Sequence, residues 1–204
     1  MMNERIATLL TRIKTLEGEL QDELEEELAQ GRKHLLYHIE RNRIRFEREV
    51  LAHHRRLRLG LLRFFATARP LNIATAPVAY SLAVPFLLLD LWVSLFQVVC
   101  FPMYGIKRVR RADYFVIDRH HLRYLNAIEK LNCFYCSYAN GLIAYVREIA
   151  GRAEQYWCPI KHAHRVRTPH SHYDRFVAYG DAHAYRQELE RLRAELSDKR
   201  SQSK

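Results

Sequence analysis

The chain has 204 residues and carries 33 Lys and Arg against 23 Asp and Glu, a formal net charge of +10. Its apolar residues are concentrated in one stretch, which excludes a single large soluble core and leaves soluble parts of modest size. A basic surface seeks nucleic acid, anionic lipid or an acidic partner, and with no nucleic-acid-binding motif beside the Arg residues the lipid reading takes precedence.

Residues 1–54 read as a coiled-coil arm. Ile6, Leu9, Ile13, Leu16 and Leu20 recur at alternating steps of three and four, the heptad seam of a packed helix. Leu24 and Leu28 follow at steps of four, a stutter that locally unwinds a supercoil, and Leu35, Ile39, Phe46 and Val50 resume the pattern. The seam predicts a homo-oligomer, a helical protein partner, or packing on a C-terminal stripe of Tyr185, Leu189, Leu192 and Leu196. Over residues 55–69, Leu and Phe alternate with Arg, including Arg63 and Arg69, as in a basic interfacial helix.

Residues 70–106 form the membrane segment. Between residues 71 and 101 the only charge is Asp90, and about 20 apolar residues suffice to cross a bilayer as a helix. The flanks are basic on both sides: Arg63 and Arg69 before, Lys107, Arg108 and Arg110 after. Positive charge marks the cytoplasmic end of a span, so the matched flanks predict a re-entrant helical hairpin bent at Pro85, with both soluble regions, including Lys14 and Lys199, on the cytoplasmic side. In that hairpin Asp90 bonds Tyr80, Ser81 or the backbone groups that Pro85 frees. The alternatives are one straight span and a buried core helix. No signal peptide is expected ahead of the segment.

Residues 107–185 read as a small helical Cys/His domain, followed by an amphipathic helix and polar tail over 186–204. Asn140 and Gly141 mark a break between two helices. Cys133, Cys136, Cys158 and His162 supply three thiolates and an imidazole, the donor set of a tetrahedral zinc site. Iron, buried structural thiols and a redox-active CxxC pair are the competing readings. A straight helix from Cys136 to Cys158 would hold the two halves about 30 Å apart, so the site closes only if the chain reverses or two chains meet. The run His170, His172, Asp174 resembles the start of the metallo-β-lactamase motif, but Arg175 stands where its last His belongs and no such site is assigned. The paired His34 with His38, His53 with His54 and His120 with His121 resemble the boxes of lipid desaturases without their full pattern. Glu129, Glu148 and Glu154 read as ion-paired surface groups, and His170 and His172 as surface residues.

Taken together, the residues predict an all-α protein: an N-terminal coiled-coil helix, a membrane-embedded hairpin and a helical Cys/His domain. The expected task is that of a membrane-anchored, zinc-clamped scaffold that binds anionic lipid at the cytoplasmic surface. The alternative is a thiol-redox or metal-dependent enzyme acting on a lipid or quinone.

Overall fold

A computed structural model describes residues 2–34, 37–40, 43–46 and 48–197. Leu35, Arg41 and Lys199 lie outside the described residues, as do the side chains of Ile6, Lys14, His34, His38 and Ile39. The chain divides into two compact units, Met1–Gly60 with His121–Asn126, and Leu61–His120 with Ala127–Lys204.

The first unit is built on α1 (Met2–His34), a two-stranded antiparallel ribbon of β1 (Tyr37–Glu40) and β2 (Arg43–Phe46), and α2 (Arg48–Arg56). The ribbon corrects the expectation of one continuous N-terminal helix. Tyr37, Ile39, Ile44 and Phe46 alternate with polar residues, the period of a strand, and the register pairs Tyr37 with Phe46 and Glu40 with Arg43. The ring of His54, on α2, packs edge-on against Phe46 and Tyr124, with centroids 5.2 and 5.0 Å away. Along α1 the seam residues Leu9, Ile13, Leu16, Leu20, Leu24 and Leu28 are all more than half exposed.

The second unit contains the apolar segment. After α3 (Leu61–Thr67) come α4 (Pro70–Ser81) and α5 (Ala83–Tyr104). Pro70 opens α4 at a position whose N–H has no intrahelical partner anyway. Only Leu82 separates the two helices, and its backbone is right-handed helical. Together they form one apolar helix over Pro70–Tyr104, 35 residues long, long and apolar enough to cross a membrane. The chain therefore does not reverse at Pro85, contrary to the expected hairpin. Pro85 sits in the first turn of α5, where its missing donor costs nothing, and the ladder resumes at once with the Phe86 N–H donating to the Leu82 carbonyl at 3.2 Å.

Gly105 ends α5. Its φ of +68° lies in the left-handed region, and the Ile106 N–H reaches back to the Phe101 carbonyl at 2.8 Å. Such a turn closes helices where a hydrophobic contact accompanies it, and both Ile106 and Phe101 are buried. The connecting segment then runs back along α5, so that Val109 lies beside Gln97 and Arg111 beside Asp90.

The next helix, α6 (Ala127–Trp157), is unbroken. The expected break at Asn140 and Gly141 is absent because Gly141 serves a packing purpose: a Cβ there would stand 2.7 Å from the backbone oxygen of Tyr114. Helix α6 runs parallel to the apolar helix. Tyr80 bonds Asn132 at one end and Tyr104 stacks on Tyr156 at the other, an advance of 24 residues along both partners. Two helices that keep step over that distance cannot include a reversal. Phe101, Ile106, Val109, Leu142, Tyr145, Ile149 and Leu196 form the core between them. The last helix, α7 (Ala182–Ala194), is capped by the Asp181 carboxylate, which accepts from the Ala184 N–H at 2.9 Å. Its stripe is occupied within the unit: Leu192 and Leu196 are buried, and the Leu192 carbonyl accepts from Gln155 of α6 at 2.8 Å.

Candidate functional site

Helix α5 has two faces of opposite character. Phe86, Asp90, Val93, Gln97, Phe101 and Tyr104 recur at steps of three and four and turn toward α6 and the connecting segment. Their polar members are engaged. Gln97 brackets the backbone of Val109, its Oε1 accepting from the Val109 N–H at 2.9 Å and its Nε2 donating to the Val109 carbonyl at 3.4 Å and to the Tyr145 hydroxyl. Val84, Leu88, Leu91, Trp92, Leu95, Val99 and Met103, by contrast, are at least half exposed. This outer face bears no charge and, unlike an ordinary soluble surface, is continuous along the helix.

Asp90 is the charge that the apolar segment must accommodate. Its partners are not Tyr80, Ser81 or backbone near Pro85. Arg111 grips both carboxylate oxygens, at 2.6 Å on Oδ2, the Tyr138 hydroxyl donates to Oδ2 at 2.8 Å, and the Ser94 hydroxyl to Oδ1 at 3.3 Å. The guanidinium also lies 4.1 Å over the Phe115 ring. Burial and the bond to Asp90 push the Tyr138 hydroxyl up to about 12, so it stays a donor at any ordinary pH. Of the basic flanks, Arg63, Arg69 and Arg110 are exposed, Arg108 donates to the Val98 carbonyl at 3.2 Å, and Lys107 lends its carbonyl to Arg152 at 2.7 Å.

The four residues expected to share a zinc ion are not brought together within one chain. Cys133 and Cys136 lie in the first third of α6 and Cys158 just beyond its end, so 22 residues of unbroken helix hold Cys136 and Cys158 about 33 Å apart. Cys133, Cys136 and Cys158 are free thiols. His162 instead stacks on Tyr173, whose hydroxyl accepts from the His162 backbone N–H at 2.7 Å. Among the described residues no three His, Cys, Asp or Glu side chains are grouped to hold a metal. Cys136 lines a shallow cleft of about 300 Å³ with Arg119, Ser137, Asn140 and Tyr114.

A second polar cluster falls where surface residues were expected. His172 is buried between two acceptors. Gln155 donates through Nε2 to Leu192, which turns its Oε1 toward His172 Nδ1 at 2.8 Å, while Glu148 Oε1 stands 3.1 Å from His172 Nε2 and 2.8 Å from Arg152 Nε. Both ring nitrogens of His172 are thus engaged, one by an amide and one by a carboxylate. These contacts hold the Glu148 carboxyl at about 2, the bond to His172 contributing most and the bond to Arg152 adding to it, against the opposing effect of burial. His170 accepts from the His172 backbone N–H at 3.2 Å and donates to Glu154 at 2.9 Å. Both rings lie on Gly151, where a Cβ would come within 2.9 Å of His170. The cluster is saturated, and it staples the loop after α6 onto the helix. The spacing of Glu148, Gly151, Arg152 and Gln155 on one helical face was the sequence signal for it.

Comparison with protein-family models, with curated proteins and with solved structures finds no match for this chain.

Proposed function

We propose that this chain is a membrane-anchored scaffold that holds protein partners at the cytoplasmic face of a bilayer. The observation that carries the reading is the division of α5: its inner face is filled by α6 and the connecting segment, while the outer face from Val84 to Met103 is apolar and exposed. Burying an exposed Leu in lipid gains about 1.5–3 kcal/mol, so a few such side chains supply a firm anchor. Arg63, Arg69 and Arg110 are exposed, and near a surface of anionic headgroups each would add about 1 kcal/mol. Basic flanks at both ends support the cytoplasmic side. The partner-binding element is α1, a helix of 33 residues whose exposed Leu and Ile seam fits a second copy or another helix.

Flotation with vesicles of phosphatidylcholine and phosphatidylglycerol tests the anchor. The wild type is expected to float with the vesicles, and Leu88→Asp combined with Leu95→Asp to remain in the aqueous fraction with unchanged helical content. Equal flotation of the two proteins refutes the reading.

A further inference from the structure

We infer that the apolar helix lies along the membrane surface rather than crossing it, with the bilayer taking only the outer face of α5. This rests on the membrane reading above and goes beyond it by fixing the orientation. Length and composition by themselves favour a crossing: α4 and α5 together form a helix of 35 residues, about 52 Å at 1.5 Å per residue, against a hydrocarbon core of about 30 Å. The neighbours of the helix decide otherwise.

The connecting segment is charged and packs against the middle of the helix, not beyond its end. Arg108 reaches Val98, Val109 is clamped by Gln97, and Arg111 holds Asp90. Arg110, between these anchors, pairs at 3.9 Å with Asp113, two residues past Arg111, and their side chains are 78% and 56% exposed. Arg110 stands beside the stretch of α5 between Asp90 and Gln97, which an upright helix would place in hydrocarbon. The other half of the helix has the same difficulty. Asn132 and Tyr135 of α6 meet α4 at Tyr80 and Ala79, which brings Lys130, two residues before Asn132 on α6, to the level of α4. An upright helix would carry these charges into the bilayer, where translocon scales set about 2.5–3.5 kcal/mol for each Arg, Lys or Asp at the centre.

A helix lying flat meets none of these costs. Leu88, Leu91, Trp92, Leu95, Val99 and Met103 enter the acyl boundary together, to the depth of about 5–10 Å typical of interfacial helices. The charged connecting segment and the polar residues of α6 stay on the water side, and both basic flanks remain in the same compartment without a hairpin. The apolar partner is thus one leaflet of an anionic bilayer.

The test is a depth scan. With Trp92→Phe and Trp157→Phe as background, a single Trp is placed in turn at Val84, Leu88, Leu95 and Val99. All four are exposed, so the core packing is left alone. Quenching is measured in phosphatidylcholine and phosphatidylglycerol vesicles carrying lipids brominated at shallow and deep acyl positions. The expected result is one shallow depth for all four positions, with every probe quenched most by the shallow bromines. These positions span about 22 Å of helix axis, so a crossing helix gives a depth that changes steadily along the series, which overturns the inference and leaves the anchor standing. No quenching at any position overturns both, and a doubled mass in lipid-free detergent would then assign the face to a second copy. Circular dichroism of each variant confirms the fold before the depth is read.

Discussion

Arg111 closes on Asp90 from 21 residues away, placing a guanidinium against both oxygens of the one carboxylate in the apolar helix. The pair fixes the connecting segment to α5, and Tyr138 ties α6 to the same carboxylate. The Asp90 side chain is 13% exposed and that of Arg111 45%, so water screens the pair in part. Asp90→Ala is expected to cost about 1–3 kcal/mol, because it leaves a half-buried guanidinium and a tyrosine hydroxyl without an acceptor. Adding Arg111→Leu should recover part of the loss. Denaturant unfolding of the two single variants and the double variant gives the coupling, and a coupling near zero would remove the pair from the account of the fold.

Gly141 and Gly18 make opposite predictions for the same substitution. Gly141→Ala drives a Cβ to 2.7 Å from the Tyr114 carbonyl oxygen, a backbone atom that moves only if the connecting segment moves. A loss of about 1–3 kcal/mol follows, the usual cost of overpacking. Gly18 lies within α1 with nothing within 4 Å of such a Cβ, and Gly18→Ala should gain about 0.5–1 kcal/mol of helix stability. Thermal melts of both variants are decisive, and a neutral Gly141→Ala would show that α6 and the connecting segment are not in close contact.

These cases mark where the sequence was legible and where it was not. Periodicity is local, so the helical character of residues 2–34 and the apolar run through Leu88 and Leu95 could be read directly. Pro85 and Gly141 could not. A proline in a helix's first turn and one at a bend have the same side chain, and a glycine that breaks a helix is indistinguishable from one that admits a neighbour. Asp90 and His172 depend on partners brought near by the turn at Gly105 and by the loop after α6; the spacing of Glu148, Gly151, Arg152 and Gln155 marks the face that receives His172, but no short window names the residue that docks there. The ribbon from Tyr37 to Phe46 was a misread period. Its alternation is short, and Leu35, Ile39, Phe46 and Val50 also satisfy helical steps.

The acid limb of stability should report on Glu148. Its folded value of about 2 lies below the ordinary 4.5, held there by His172 and Arg152. A carboxyl depressed on folding contributes stability that is fully present above the unfolded value and disappears as pH falls through the folded one. The window is therefore about pH 4.5 down to about pH 2, and the contribution is at most about 3 kcal/mol at 1.36 kcal/mol per unit. The groups facing this carboxylate are His172, Arg152 and the Tyr114 hydroxyl, the last pushed up by burial and by Glu148 itself. Glu148→Gln should flatten the melting temperature against pH across that window while leaving the limb above pH 5 nearly unchanged. An identical acid limb in both proteins would show that the cluster is not formed in solution.

The seam of α1 sets the last prediction. Leu9, Ile13, Leu16 and Leu20 keep heptad spacing on an exposed face, and isolated helices gain most of their stability by packing such a face. With Ile13 at a core position, Arg12 and Glu17 occupy the two flanking positions that meet across a parallel, in-register pair of chains. Two chains side by side would therefore bury the aliphatic residues and join Arg12 of one to Glu17 of its partner. Replacing Ile13 and Leu20 by Glu should weaken self-association by at least about tenfold for each residue, since about 1.5–3 kcal/mol of transfer energy is lost at each position. Arg12→Glu alone should weaken it modestly, and adding Glu17→Arg should restore it. Sedimentation equilibrium in detergent measures all four proteins. A wild type that is monomeric at every concentration would assign the seam to a different helical partner, and a charge swap that fails to restore association would rule out the parallel register.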